Sequence, residues 1–352
     1  MAKTPAFTTS VVGSMPRSDF VKDLIFDDVP PERYEQEMRA AVRYIVAVQE
    51  HAGLDVVTDG EWRRKSYIGV IAELAHGFEL GRYPDGRPFT LVTGKLAPRN
   101  AGFIAQEAAF LKTITSRRIK STLPSPALLG ERMWDPEKSK KAYPQRDDFI
   151  RACVPILRRE LELLREQGAD IVQIDDPHLC LFVDPDVRAK YPDAEKASDF
   201  AVDMVNQVVE GISGVKLAVH LCRRAGGRAR GEAQHSGGYD PILKQLNRLK
   251  VHHLTMEFTS PAAGDMAVFK KLREDFEIGL GCVSVTPGQV DSAEVIVKRV
   301  TQALDYLPPE RITLNPDCGF APGSGAAVGI DEAYQKLKNE VAAARMLRER
   351  FA

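Results

Sequence analysis

Short β-branched or apolar runs alternate along the chain with longer segments in which apolar residues recur at three- and four-residue spacing. The longer segments predict amphipathic helices over Pro31–His51, Asp147–Gln167, Ala197–Ile212, Ser292–Tyr306 and Asp331–Arg350. The short runs each end in a polar or glycine-containing cluster and predict eight strands: Thr8–Ser14, Asp55–Glu61, Arg118–Pro126, Ala169–Pro177, Gly214–Cys222, Leu254–Phe258, Phe276–Val285 and Arg311–Gly319. Ser292 is typical of a helix N-cap, and Gly168 is typical of a helix C-terminus.

The order of these elements predicts the fold class. Parallel strands need crossover helices, and eight βα units close into a barrel, so we expect an α/β protein with a (β/α)8 TIM barrel. An open doubly wound sheet is the alternative, but no GxGxxG or Walker-type loop follows the first predicted strand. A length of 352 residues is normal for one such barrel with insertions, so we predict a single catalytic domain over residues 1–352.

Two segments differ from ordinary βα connections. Residues 63–98 include the Gly- and Pro-containing RYPDGRPF, and their length predicts an insertion near the mouth of the barrel. Residues 223–239 (RRAGGRARGEAQHSGGY) are rich in glycine and arginine and almost free of apolar residues. That composition favours a mobile active-site loop over a phosphate cradle.

Charge and composition narrow the range of partners. The chain has 48 basic and 49 acidic residues, and its net charge of −1 gives no electrostatic reason to expect nucleic acid or an anionic membrane as a partner. It has no run of 18 apolar residues and no secretory leader pattern, so we expect a soluble cytoplasmic protein. A small neutral or zwitterionic ligand suits this charge balance, and a homo-oligomer is compatible with it.

Four good metal ligands lie at the ends of predicted strands. His220 and Cys222 stand two apart at the end of the fifth strand, so both side chains point to the same face. Glu257 ends the sixth strand and Cys318 ends the eighth. Because the C-terminal ends of barrel strands share one rim, we expect one imidazole, two thiolates and one carboxylate to converge there, a set suited to tetrahedral Zn²⁺.

The alternative interpretation is that these are ordinary buried cysteines. The five cysteines are odd in number and widely spread, so a disulfide framework is not expected and some thiols are free or metal-bound. A lone His-x-Cys is weak evidence, since His178 and Cys180 repeat it with no further ligand pattern. We expect Cys153 to lie in the core, and packing is favoured over metal binding for Cys282.

Several motifs together resemble one family. HLC at 220–222, MEF at 256–258 and LNPDCG at 314–319 resemble the zinc-binding pattern of cobalamin-independent methionine synthase. VVGSMPRS, VVTDGEWRR and QIDDP resemble that family's Gly-Ser opening, its Gly-Glu strand end and its Ile-Asp-Glu-Pro strand end. The resemblance covers nearly the whole chain and corresponds to the catalytic C-terminal barrel. Shorter members of the family include archaeal-type methionine synthases and the epoxyalkane:coenzyme M transferase group.

The resemblance implies roles for individual residues. It implies zinc on the four ligands named above, and binding of an amino-acid thiol by Ser14, Glu61 and Asp175. Paired carboxylates beside a zinc suit this role, because they can hold an ammonium group while the metal takes the sulfur. The alternatives are that Asp175 and Asp176 cap a helix or end a solvated strand, and that Glu61 forms a surface ion pair with the arginines that follow it.

The sequence departs from the family pattern where the alkyl donor is expected to bind, and it leaves more than one candidate for the proton donor. The family's seventh strand ends in Asp-Ile-His-Ser-Pro, and its histidine is proposed to protonate the departing folate, whereas this chain has Ser284, Val285, Thr286 and Pro287 there. The arginine-rich segment after Cys222 suggests an anionic or different alkyl donor or acceptor. Four side chains are candidates for the catalytic proton donor: Asp176, His178, His235 and Tyr67.

Three functions follow from these observations. Zinc ionises a thiol whose free pKa is about 8.5 and keeps it nucleophilic, so the first hypothesis is zinc-dependent methyl transfer to homocysteine or a similar thiol. The second is zinc-dependent addition of a thiol such as coenzyme M to an epoxide or other small electrophile, which His235 and the nearby arginines favour. The third is a barrel related to uroporphyrinogen decarboxylase without thiol chemistry, which leaves Cys222 and Cys318 unexplained.

Overall fold

Eight parallel strands form the barrel that the sequence predicts. The computed structural model describes residues 5–82, 88–223, 235–321 and 328–351. The barrel strands are β1 (Thr8–Thr9), β2 (Val56–Val57), β5 (Arg118–Pro124), β6 (Ile171–Asp175), β7 (Lys216–Leu221), β8 (His253–Glu257), β9 (Glu277–Val283) and β10 (Ile312–Pro316). Most are shorter than their predicted runs, because the polar residues at the end of each run leave the sheet and enter the loops of the site.

The strand order closes the sheet on itself and excludes an open doubly wound sheet. Neighbouring strands follow the order β1-β10-β9-β8-β7-β6-β5-β2, and a parallel bridge between Ser10 and Val56 joins the two ends. The register places Pro124 opposite Asp175 and Asp175 opposite His220. The C-terminal ends of adjacent strands therefore meet at one rim, as the barrel topology requires.

Helices connect the strands, and the five predicted ones are all present. The α-helices are α1 (Asp19–Phe26), α2 (Pro31–Ala52), α3 (Ile71–Leu74), α4 (Phe103–Ile114), α5 (Pro126–Met133), α6 (Arg146–Glu166), α7 (Pro177–Leu181), α8 (Pro185–Arg188), α9 (Ala194–Val209), α10 (Leu243–Arg248), α11 (Ala293–Ala303) and α12 (Ile330–Phe351). Short 3-10 helices span Asp240–Ile242, Pro261–Ala263, Met266–Lys271 and Pro309–Arg311. Within the described ranges, no helix combines the length and apolar character needed to cross a membrane.

Local signals in the sequence explain several helix ends and core positions. The Ser292 hydroxyl accepts the backbone N–H of Val295 at 3.4 Å and caps α11. Gly168 follows α6 with a φ of +80°, a left-handed conformation that glycine adopts without a steric penalty. Cys153 in α6 and Cys282 in β9 are both fully buried in the hydrophobic core, as predicted.

The long segment after β2 contains an antiparallel strand pair. Strands β3 (Ala75–Arg82) and β4 (Pro88–Pro98) pair over most of their length, with a register shift between His76 and Phe78. Leu80 of β3 and Phe89 of β4 line the central cavity of the barrel. This pair therefore forms one wall at the mouth, which is where the sequence predicts an insertion.

The first strand is held by the last helix. The Arg348 guanidinium in α12 donates to the backbone oxygens of Ala6 and Phe7 at 3.0 and 2.9 Å. The Glu340 carboxylate, also in α12, accepts the backbone N–H of Ser10 at 3.2 Å. These contacts lie beside the Ser10–Val56 bridge, so side chains of α12 support the closure of the barrel.

Candidate active site

A cavity of about 1350 Å³ opens at the C-terminal ends of the barrel strands. Its volume exceeds the roughly 300–1,000 Å³ of a typical small-molecule pocket, so it has room for two reactants. Nine residues singled out from the sequence line it: Ser14, Glu61, Tyr67, Asp175, His178, His220, Cys222, His235 and Cys318. Asp176 and Glu257 are buried and are not among its lining residues.

Three predicted metal ligands converge at this cavity. One ligand atom from each of His220, Cys222 and Cys318 lies within 4.8 Å of the other two, and all three residues are buried. The two sulfur atoms are 3.4 Å apart. The period-two geometry of β7 brings His220 and Cys222 to one side, and Cys318 follows β10 across the barrel mouth.

The environment of these side chains fits a zinc ion. The Nε2 atom of His220 is buried without a hydrogen-bond partner, an arrangement that is costly unless a ligand completes it. The Glu257 Oε1 atom lies 3.2 Å from the Cys222 sulfur and also accepts the backbone N–H of Arg223 at 2.9 Å. One nitrogen and two sulfurs with a carboxylate oxygen beside them are a donor set that Zn²⁺ prefers.

Neighbouring polar groups fix the His220 ring. The Nδ1 atom of His220 is 3.2 Å from Oδ1 of Asp175, and that oxygen also accepts the Gln173 side-chain N–H at 2.8 Å. Gln173 donates in addition to the backbone oxygen of Val12 at 3.1 Å. This arrangement matches the second layer of hydrogen bonds that orients histidine ligands in metal sites. Sequence reasoning missed Gln173, although it shares the inward face of β6 with Asp175.

The strand end that carries Glu257 is also held tightly. Its backbone N–H donates to the Tyr239 hydroxyl at 3.0 Å, and the Arg223 guanidinium stacks 3.9 Å from the centre of the Tyr239 ring. The Asp317 carboxylate accepts the backbone N–H of Phe258 at 3.0 Å. Burial, together with the nearby Glu257 carboxylate, raises the pKa of Asp317 to about 7. The Glu257 side chain thus sits in a preformed environment.

The predicted substrate-binding residues face the same cavity as the predicted metal ligands. Glu61 follows β2, is buried, and accepts the Thr122 hydroxyl at 2.7 Å. The Ser14 hydroxyl accepts the backbone N–H of Ala321 at 3.1 Å. The alternative interpretation required a surface ion pair with the arginines that follow Glu61. The structure instead has Arg63 paired with Glu35 at 2.7 Å, and Glu61 paired at 4.0 Å with Arg64, in a contact that is buried.

Two of the proton-donor candidates contrast in position. His235 lines the cavity, and its Nδ1 atom is 2.9 Å from Oδ2 of Asp184. Asp176 is fully buried, and its carboxylate accepts the backbone N–H of Leu179 at 2.9 Å as the N-cap of α7. Burial raises the pKa of Asp176 to about 6. Asp176 therefore caps a helix, as the alternative interpretation expected.

The other two candidates line the cavity wall. Burial raises the pKa of Tyr67 well above its ordinary value, so its phenol holds its proton. The Nε2 atom of His178 lies 3.4 Å from the Tyr191 hydroxyl, and its ring packs edge-on against Phe182. Burial lowers the pKa of His178 to about 4, which keeps the imidazole neutral near pH 7.

Two further segments bear on the alkyl donor. Residues 224–234 of the Gly- and Arg-rich segment lie outside the described residues. The stretch from Ser284 that replaces the family's histidine follows β9, where the Lys336 ammonium donates to the backbone oxygens of Ser284 and Thr286 at 2.9 and 2.7 Å. This stretch is anchored to α12 and supplies no imidazole.

Comparison with known proteins identifies the family. The model of the catalytic domain of cobalamin-independent synthase matches residues 7–346. The chain belongs to this family. A relative, the methionine synthase of Saccharolobus solfataricus, is 27% identical over 361 residues, which cover 99% of this chain and 97% of the relative. The methionine synthase of Sulfolobus acidocaldarius is 26% identical over 353 residues, which cover 97% and 92% of the two chains.

Solved structures share the fold of this family member. A B12-independent methionine synthase from Shewanella sp. W3-18-1, in complex with selenomethionine, is 20% identical and has a TM-score of 0.79 with 98% of each chain covered. A vitamin-B12-independent methionine synthase from Listeria monocytogenes, described as putative, is 21% identical with a TM-score of 0.72 and 97% and 98% coverage. The chain is an enzyme of the cobalamin-independent methionine synthase family. This membership replaces the hypothesis of a barrel related to uroporphyrinogen decarboxylase.

Proposed function

We propose that this protein transfers a methyl group to the thiol of homocysteine, with zinc as its cofactor. The observation that carries the proposal is the unpartnered, buried Nε2 atom of His220 beside the sulfurs of Cys222 and Cys318. We assign Glu257 as the fourth ligand because its carboxylate is 3.2 Å from the Cys222 sulfur. Membership of the methionine synthase family supports the same reaction.

The amino-acid part of the substrate is assigned to the wall beside the metal site. Glu61 and Asp175 are both carboxylates and both line the cavity that the His220, Cys222 and Cys318 side chains reach. They would accept the ammonium group of homocysteine through charge-assisted hydrogen bonds. Ser14 lines the same wall and would contact the substrate through its hydroxyl and its backbone.

The reaction needs an ionised thiol and a proton for the leaving group. Zinc, when bound, supplies the first by ionising the substrate thiol while leaving its sulfur nucleophilic. A new sulfur–carbon bond forms as the bond from the methyl carbon to the donor atom breaks, and the electron pair of that bond stays with the donor. We assign His235 as the group that protonates the donor atom, because Asp184 at 2.9 Å orients its ring and holds its Nδ1 proton.

Metal analysis tests the zinc assignment. We expect about one zinc per chain in the purified protein and a content well below half of that in Cys318→Ser, since a serine hydroxyl is a poor zinc ligand. Cys282→Ser is the matched control, because Cys282 is equally buried on β9 but lies outside the ligand group. Wild-type protein that binds no zinc after growth in zinc-supplemented medium, or Cys318→Ser that keeps full zinc, would reject the proposal.

Turnover tests the rest of the assignment. Zinc-loaded protein, homocysteine and a panel of methyl donors should yield methionine with at least one donor. We expect His235→Gln to lower kcat by roughly 10²–10⁴-fold with unchanged zinc content. His76→Gln, at an exposed position of β3, should leave kcat unchanged. A normal kcat in His235→Gln would remove His235 from the mechanism.

A second candidate function is zinc-dependent addition of a thiol such as coenzyme M to an epoxide. The observation that favours it is a set of cationic side chains lining the cavity, Lys65, Arg132 and Lys190, which suit an anionic thiol. Calorimetric titration of zinc-loaded protein with homocysteine and with coenzyme M separates the two. Tighter binding of homocysteine supports methyl transfer, and tighter binding of coenzyme M supports the addition reaction.

A further inference from the structure

A buried ion pair lies behind the proposed ammonium-binding wall and has no part in the function described so far. The Arg64 guanidinium contacts Oε2 of Glu107 through Nη2 at 2.7 Å and through Nε at 3.1 Å. The two side chains are 1% and 3% exposed. Two guanidinium donors on one carboxylate fix the plane of the guanidinium, so α4, which carries Glu107, sets the position of Arg64.

The remaining guanidinium nitrogen connects this ion pair to Glu61 through hydrogen bonds with Thr122. Nη1 of Arg64 donates to the backbone oxygen of Thr122 at 3.0 Å and to its hydroxyl oxygen at 2.8 Å. The Thr122 hydroxyl is 2.7 Å from Oε1 of Glu61. A hydroxyl has one proton, and arginine can only donate, so the Thr122 hydroxyl accepts from Arg64 and gives its own proton to Glu61. Arg64 therefore fixes which group donates and which accepts in the hydrogen bonds that run from Arg64 through Thr122 to Glu61.

The backbone of Glu61 is held in an unusual conformation by other neighbours. Its φ is +58°, in the left-handed region that non-glycine residues rarely adopt. The Asp59 carboxylate accepts the Glu61 N–H at 3.0 Å, and the Arg17 guanidinium donates to the Glu61 carbonyl oxygen at 2.5 Å. Such conformations persist where surrounding contacts fix them, and they are concentrated at functional sites.

The electrostatic setting explains why a cation is needed nearby. Glu61 is buried, and burial raises the pKa of its carboxyl group, which works against the anionic form. Arg64 opposes this effect, with Nη1 4.0 Å from Oε1 of Glu61. The Arg64–Thr122 arrangement therefore both orients the carboxylate and favours its charge.

We infer that Thr122, oriented by Arg64 and Glu107, is a positioning residue that makes the site selective for thiols bearing an amino group. This inference rests on the proposed function, in which Glu61 binds the ammonium group. Because Oε1 of Glu61 is committed to the Thr122 hydroxyl, Oε2 is the oxygen assigned to the substrate. Without the Thr122 hydroxyl, the Glu61 carboxylate would lose a hydrogen bond and would no longer be held in one orientation.

The test compares two thiols that differ only in the amino group, homocysteine and 4-mercaptobutanoate, by calorimetric titration of zinc-loaded protein. We expect wild type to bind homocysteine more tightly. Thr122→Val should raise the Kd of homocysteine about tenfold and change the Kd of 4-mercaptobutanoate less than twofold, with full zinc content. Thr122→Ser keeps the hydroxyl and should retain the preference. Thr113→Val, which removes a threonine hydroxyl at an exposed position of α4, is the control and should change neither Kd.

The outcomes separate this inference from the function on which it rests. If Thr122→Val keeps the wild-type preference for homocysteine, the positioning role is wrong and the proposed function stands. If wild type itself shows no preference for the amino-bearing thiol, both the role of Glu61 and the inference are overturned. Equal weakening of both thiols, or failure of Thr122→Ser to retain the preference, also rejects the inference.

Discussion

Replacement of Gly13 by alanine tests the position of Glu61 without removing any functional group. A Cβ atom at Gly13 would lie 2.6 Å from Oε1 of Glu61 and 2.9 Å from Cγ2 of Thr122. Ordinary contacts begin at 3.4 Å, so Oε1 must move by at least 0.8 Å, the difference between 3.4 and 2.6 Å. The φ of Gly13 lies outside the left-handed region, so its own backbone tolerates alanine.

The expected effect is confined to the substrate wall. A displacement near 1 Å at a positioning group costs up to about 10²-fold in rate, so we expect kcat/KM for homocysteine to fall about 10- to 100-fold in the methionine-forming assay. Overpacking should cost about 1–3 kcal/mol of stability. Zinc content should not change, since Gly13 contacts no proposed ligand within 4 Å among its nearest neighbours.

The matched control is Gly329→Ala, because a Cβ atom at Gly329 meets nothing within 4 Å. It should leave kcat/KM, stability and zinc content unchanged. A value of kcat/KM for Gly13→Ala within twofold of wild type would show that Glu61 need not occupy its present position. That result would refute the reasoning for both the carboxylate and the hydroxyl that holds it.

Three further predictions concern stability. Burial lowers the pKa of His178 to about 4 in the folded protein from 6.5 for a free histidine, so the unfolded chain binds more protons between these values and stability falls by about 3 kcal/mol as pH decreases from 6.5 to 4; urea unfolding of His178→Gln should show a flatter dependence on pH. Gly130→Ala would place Cβ 2.2 Å from Cγ1 of Ile150, so it should lower the unfolding free energy by about 1–3 kcal/mol despite the better helix propensity of alanine. Lys336→Met leaves two carbonyl oxygens of the loop after β9 without their donor and should cost about 1–3 kcal/mol, and an unchanged denaturation midpoint would argue against that contact.

The sequence predicts the barrel well because its signals are local. Alternation of short apolar runs with amphipathic segments marks the eight strands, and all five predicted helices have ends within three residues of the prediction. The convergence of the candidate metal ligands could also be predicted, since barrel topology brings strand ends together whatever the details of packing. His220, Cys222 and Cys318 meet as that rule requires.

The supporting contacts could not be predicted because they join residues that are remote in sequence. Arg64 reads as a surface arginine beside Arg63, yet it is buried against Glu107 on a helix that begins 39 residues later, at Phe103. Nothing in the sequence distinguishes Thr122 from any other strand residue, and its contacts with Arg64 and Glu61 depend on the packing of β5 beside β2. A sequence pattern marks chemical groups at strand ends, whereas their orientation depends on tertiary packing.

The contacts between α12 and the first strand have a consequence for folding. Ser10, Phe7 and Ala6 receive their side-chain partners from Glu340 and Arg348, which lie 330 to 342 residues later in the sequence. Until α12 packs against the barrel, the first strand lacks these three hydrogen bonds, and the seam between β1 and β2 depends on the Ser10–Val56 bridge and the bonds between Thr9 and Asp55. An incompletely supported strand edge can pair with another chain, so the packing of α12 also protects the folding barrel against aggregation.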